Sequence, residues 1–278
     1  MRVILVPVAD RPECAHALNR SFALARDLDA SVVGLHIRPP GDRPGDSATG
    51  AEAEWLALMR PRSRKNSVAA ARSLFARASR ANGYDLHKSP RARPGAMWME
   101  KTGSPNRVIG GNGPVADLLV VSRPVKRDGS IARLFLTAAL LASARPVLVL
   151  PPGGEHPVGR RICIAWNQST EGARAVAAAL PLLQLAQHVT IVAAGPEKRP
   201  GPKSNQLANL RCWGIKSERI TTAGDDDARQ LLGTYRANKC DLLVMGAYSR
   251  NRFSQPVFGG VTESMLYRAS IPVVMLHS

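Results

Sequence analysis

Long apolar runs are missing from this chain: no stretch of its 278 residues approaches the roughly 18 uninterrupted apolar residues that a membrane-spanning helix needs. Its first residues enter a strand-like pattern at once, without the basic and apolar leader of an exported protein, so a cytoplasmic protein is expected. Cysteine is scarce as well. Cys14, Cys163, Cys212 and Cys240 lie far apart, with no C-x-x-C pair and no metal-ligand spacing to the histidines, which argues for reduced thiols and against a structural zinc. The histidines at 16, 36, 87, 156, 188 and 277 are scattered, with no nucleophile elbow, metal motif or acid pair beside them. No enzyme is predicted. Aromatic residues make up only 5% of the chain. Trp55, Phe75 and Tyr84, next to the most basic stretch, are too few for a base-stacking platform and are expected in a core.

Acidic residues are also in deficit, 21 against 38 Lys and Arg, giving a net charge of +17. Such an excess favours encounter with polyanions. It is unevenly placed: Arg60, Arg62, Arg64, Lys65, Arg72, Arg77, Arg80, Lys88, Arg91 and Arg93 share a window in which Asp85 is the only acid. Two readings of region 60–93 stand side by side. It is a solvated helix face, or it docks an acidic protein, a membrane surface or nucleic acid by charge, without reading sequence.

What is present is a repetition. Ala116-Asp-Leu-Leu-Val-Val-Ser122 leading to Ala144-Arg-Pro-Val-Leu-Val-Leu150 returns as Cys240-Asp-Leu-Leu-Val-Met-Gly246 leading to Ser270-Ile-Pro-Val-Val-Met-Leu276. Each copy opens with a short apolar run, Val3 to Val8 and Ile162 to Trp166, followed by a long Ala/Leu-rich stretch. A period this long is that of two sequential domains of one architecture, 1–152 and 159–278, not of a solenoid. In the first copy the pattern predicts strands at 3–8, 31–37, 96–100, 118–122 and 147–150, with helices at 14–28, 51–59, 67–81 and 131–142. Residues 39–46 and 82–95 read as irregular, and Gly110-Gly-Asn-Gly113 as a connector, since it precedes a strand and lacks the phosphate-loop Lys. In the second copy strands are expected at 162–166, 189–193, 219–222, 242–246 and 273–276, with helices at 170–187, 207–210, 226–237 and 260–269. Alternating strands and helices imply an α/β fold, two tandem Rossmann-like domains, each a mostly parallel five-stranded sheet flanked by helices. In such sheets ligands sit at the carboxyl ends of strands, where strand order reverses.

The segment after the fourth strand of the second copy concentrates candidate chemistry: Gly246-Ala-Tyr-Ser249, nine residues, then Gly259-Gly260-Val261-Thr262 opening a helix. Glycine at a strand end lets backbone approach a ligand, and amides at a helix start donate to phosphate. This spacing resembles the nucleotide loop of the universal stress protein family: glycine, two residues, glycine, nine residues, glycine and a hydroxyl residue. The resemblance covers nearly the whole chain and is to the tandem type, with two such domains of the adenine nucleotide alpha hydrolase-like fold. Ser249 replaces a glycine of the pattern and Gly260 a hydroxyl residue. The loop is therefore either a structural relic or an adenine-nucleotide site, with Arg250 and Arg252 lending charge or simply solvated.

The resemblance implies further positions. Ala165 and Trp166 end the first strand, and Asn167, directly after it, stands where family members place an aspartate on the base. Asn167-Gln-Ser-Thr170 reads equally well as a helix start capped by Ser169 or Thr170. Ala193 would line the base pocket. The first copy has Ala9 at the place of Asn167 and no glycine pair before its last helix, so no nucleotide site is assigned there. The family further implies a stress-response role, ATP or another adenine nucleotide as cofactor with magnesium only alongside it, an unidentified protein partner, and at most slow ATP hydrolysis. Pairing through final strands, Val147–Leu150 with Val273–Leu276 or between two copies as a homodimer, is implied in the same way.

Overall fold

The structure, a computed structural model, describes residues 1–39, 64–89, 93–124, 129–153, 157–194, 205–222, 227–247 and 260–277. The chain divides into two units, Met1–Gly154 and Glu155–Ser278. The first contains strands β1 (Val3–Pro7), β2 (Ser31–Arg38), β3 (Leu86–His87), β4 (Ala96–Thr102), β5 (Leu118–Ser122) and β6 (Val147–Leu150). Its described helices are α1 (Pro12–Leu28), α2 (Arg64–Ala81), α3 (Pro105–Asn112) and α4 (Gly129–Ala142). Strand order is β3-β4-β2-β1-β5-β6, with the described pairings parallel. The central strands are apolar at nearly every position because helices cover both faces of a parallel sheet.

The second unit contains β7 (Arg161–Trp166), β8 (His188–Ala194), β9 (Ser217–Thr222), β10 (Leu242–Gly246) and β11 (Val273–Leu276). Between them lie α5 (Thr170–Leu185), α6 (Asn205–Cys212), α7 (Asp227–Ala237) and a single turn, α8 (Gly260–Glu263). Order β9-β8-β7-β10-β11 repeats the first unit's plan, again in parallel register.

Register fixes how the two units correspond. Ile4 pairs with Leu118 as Ile162 pairs with Leu242. The aspartate of the repeated Asp-Leu-Leu-Val motif then does the same work twice. Asp117 Oδ2 accepts the backbone N–H of Arg2 (2.6 Å) and Val3 (3.0 Å). Asp241 accepts those of Gly159 (2.9 Å), Arg160 (3.1 Å) and Arg161 (3.1 Å). Each carboxylate thus ties the entry of the unit's first strand to the start of its neighbour.

Several expectations need correcting. The first unit's sheet has a sixth strand, β3, inside the stretch read as irregular. Gly110-Gly-Asn-Gly113, read as a connector, ends α3 and enters a short 3-10 turn before β5. A Cβ on Gly113 would lie 2.8 Å from that of Ser143, so this glycine serves close packing against the segment that follows α4. The last helix of the second unit is one α-turn followed by a wider π turn, Ser264–Arg268. Phe75 is buried against Phe22 and Trp98, and Tyr84 packs on Phe22, as core residues do. The expected helix 51–59, the loop 40–46, Trp55, Arg60, Arg62 and Arg91 lie outside the described residues.

Candidate functional site

Strand order in the second unit reverses between β7 and β10, because the chain steps from β7 outward to β8 and β9 and then returns to β10 on the other side. The connections leaving the carboxyl ends of β7 and β10 diverge there, and in open α/β sheets ligands sit at such a rim. Ala165 and Trp166 end β7 and Asn167 follows it directly; Trp166 pairs in register with Ala193 near the end of β8. Gly246 ends β10. The structure therefore brings Trp166, Asn167, Ala193 and Gly246 to one end of three neighbouring strands.

The turn from β7 into α5 is held by side chains. Asn167 Oδ1 accepts the Ser169 N–H at 3.1 Å, and Ser169 Oγ accepts that of Gly172 at 2.9 Å, capping α5. Between them Gln168 adopts a left-handed φ of 58°. Asn167 is exposed and Ala193 buried. The Ala193 carbonyl accepts the Thr222 hydroxyl at 3.3 Å.

Gly246 has a structural reason for being glycine. A Cβ there would stand 2.5 Å from the Gly172 nitrogen and 2.6 Å from the Glu171 carbonyl carbon. The first turn of α5 thus rests directly on the end of β10. Gly172, missed in the sequence, brings its backbone nitrogen to this contact, while a Cβ on it would stand 3.0 Å from Asn167 Oδ1 and 3.3 Å from Ser169 Oγ; a lone glycine in the first turn of an Ala-rich helix was the available signal. Gly260 is exposed, with open space where a Cβ would stand, while Val261 is half-buried and Thr262 buried. Ser249, Gly259, Arg250 and Arg252 lie outside the described residues.

Titratable groups elsewhere have structural partners. His36 is buried, bonded to the Val8 carbonyl at 2.9 Å and stacked on Trp98. His188 and Thr190 both bond Glu218, and these hydrogen bonds hold its carboxyl below the ordinary value. Cys163 and Cys240, distant in sequence, meet: a thiol hydrogen bond from Cys163 to Cys240, reinforced by burial, pushes Cys163 up. Among the described residues no cluster of three or more His, Cys, Asp or Glu side chains could hold a metal ion, and no helix is long and apolar enough to cross a membrane.

Residues 195–277 match the model of the Universal stress protein family. That stretch includes Gly246 and Gly260 to Thr262 but not Asn167 or Ala193. A search of curated proteins finds no match. Among solved structures, a universal stress protein from Archaeoglobus fulgidus DSM 4304 superposes with a TM-score of 0.66 at 13% identity, over 99% of this chain and 96% of that one. A functionally unknown protein from Pseudomonas aeruginosa PAO1 gives a TM-score of 0.57 at 17% identity, over 100% and 92%. Residues 195–277 thus match the Universal stress protein family model, and over nearly its whole length the chain has the α/β fold of a solved universal stress protein.

Proposed function

We propose that this protein acts in a stress response by binding an adenine nucleotide in its second unit. The observation that carries the reading is the convergence of Asn167, Ala193 and Gly246 at the carboxyl ends of β7, β8 and β10, where strand order reverses. Asn167 Oδ1 is committed to the Ser169 N–H, so contact with the base falls to the Nδ2 donor, which suits a ring nitrogen of adenine. Ala193 supplies the apolar wall beneath the ring. Phosphates then lie towards Gly260, Val261 and Thr262, with magnesium arriving only on the nucleotide. Binding, not turnover, is the proposed activity; a nucleotide signals only if it favours one conformation of the protein over another. Equilibrium binding of labelled ATP with magnesium to the full chain tests this: saturable binding is expected, and none at millimolar nucleotide removes the reading.

A second reading rests on α2. Arg72, Arg77 and Arg80 are all exposed; the Arg77 guanidinium bonds Ser73 Oγ and that of Arg80 the Ala76 carbonyl, both within the helix. This cationic face would meet nucleic-acid phosphates by charge alone. Retention on DNA at low salt, lost on raising salt and in the R72Q/R77Q/R80Q variant, is the expected result. Failure of the unmodified protein to be retained at low salt dismisses it.

A further inference from the structure

Two helices of the second unit end on an apolar side chain turned outward. Leu185, the last residue of α5, is 49% exposed, and Trp213, directly after α6, is 50% exposed. Neither belongs to a frayed end. Leu182 and Leu183, just before Leu185, are buried. After α6 the Gly214 N–H bonds the Arg211 carbonyl and the Ile215 N–H the Leu210 carbonyl, with Gly214 at a left-handed φ of 72°. Leu210 and Ile215 are buried on the inner side of this turn, which leaves Trp213 on the outer side.

The two residues share one rim. β7, β8 and β9 lie side by side in parallel, and right-handed connections place α5 and α6 on one face of them. Val189 pairs with Ser217, and Leu185 and Trp213 precede these partners by equal lengths of chain, so both reach the amino-terminal ends of the strands. Arg160, Arg211, Lys216 and Lys239 are exposed at the same ends, and among the described residues none of the four has an ion pair. The acids of these segments are already engaged: Asp241 by three backbone N–H groups, Glu218 by His188 and Thr190. Uncompensated cations around an exposed indole and leucine match an anionic bilayer. Its phosphates attract the cations, and its interfacial layer takes up the indole and the aliphatic side chain without a spanning segment. A nucleic-acid strand would stack on the indole but leave Leu185, which has no ring, in water.

We infer that the amino-terminal rim of the second unit docks on anionic lipid bilayers, with Trp213 and Leu185 in the interfacial layer and the four cations on the headgroups. The inference is independent of nucleotide binding, which is proposed at the opposite ends of the strands. Co-sedimentation of the full chain with phosphatidylglycerol–phosphatidylcholine vesicles tests it, beside vesicles of phosphatidylcholine alone. Binding is expected on the anionic vesicles only. The Leu185→Ser, Trp213→Ser double variant leaves net charge unchanged, so a loss of binding in it cannot come from weaker charge attraction. It should bind about tenfold more weakly or worse, with unchanged far-ultraviolet circular dichroism. If it fails to fold, brominated phosphatidylglycerol decides: tryptophan fluorescence is expected to be quenched in the unmodified chain and not in Trp213→Phe. No binding to anionic vesicles, equal binding by the folded double variant, equal quenching in Trp213→Phe, or a loss seen on single-stranded DNA and not on vesicles overturns the inference.

Discussion

Asp117 and Asp241 carry more of the fold than their short side chains suggest, because each gathers two or more backbone N–H groups at the start of a first strand. Burial pushes the Asp241 carboxyl up, opposed by those hydrogen bonds, so its surroundings accept the charge only because the donors converge on it. Asp241→Asn preserves the shape but turns an NH2 towards donors that need an acceptor. The expected loss is about 1–3 kcal/mol, read as a lower urea midpoint with an unchanged slope; an unaltered midpoint would show that the clasp contributes nothing. The sequence displayed both aspartates inside the repeated motif, yet their purpose was hidden, since the donors they gather are backbone groups without a residue signature. The same holds for Gly246. Its place at a strand end was legible and matched a ligand-loop pattern, whereas the contact it makes, with Glu171 and Gly172, depends on how α5 descends onto β10.

Among elements, long strongly apolar strands were legible to within a residue or two. β5, β6, β10 and β11 announce themselves by continuous Val, Leu and Met runs, the mark of parallel strands covered on both faces. β3 was not legible: two residues, Leu86 and His87, are too few to show a period, and their pairing with β4 is a tertiary event. The role of Gly113 was hidden as well, because its close approach to Ser143, after α4, arises only in the folded chain. The short α8 turn has a specific consequence. Among the described residues nothing lies within 4 Å of where a Cβ on Gly260 would stand. Gly260→Ser places a hydroxyl where the family pattern has one, and a hydrogen bond to a charged oxygen contributes about 1.5 kcal/mol or more. ATP affinity should rise about tenfold in equilibrium binding; an unchanged or weaker affinity would place the phosphates away from this turn.

At the scale of the whole molecule, duplication was the most legible property, since a repeated motif and a repeated strand order are one fact seen twice. How the two strand-end rims differ was only half visible. Absence of the glycine loop in the first unit could be read from residues, but the hydrogen bond from Ser122 Oγ to the Glu13 carbonyl could not, because it depends on how helix and strand meet. One plan thus carries two different rims: polar backbone and Asn167 in the second unit, Ser122 and the Arg11–Glu13 ion pair in the first. An experimental structure of the full chain grown with ATP and magnesium probes this division most directly. Nucleotide density is expected beside Asn167 and Gly246 alone, with none at the ends of β1 and β5; nucleotide at the ends of β1 and β5, or in neither unit, would contradict it.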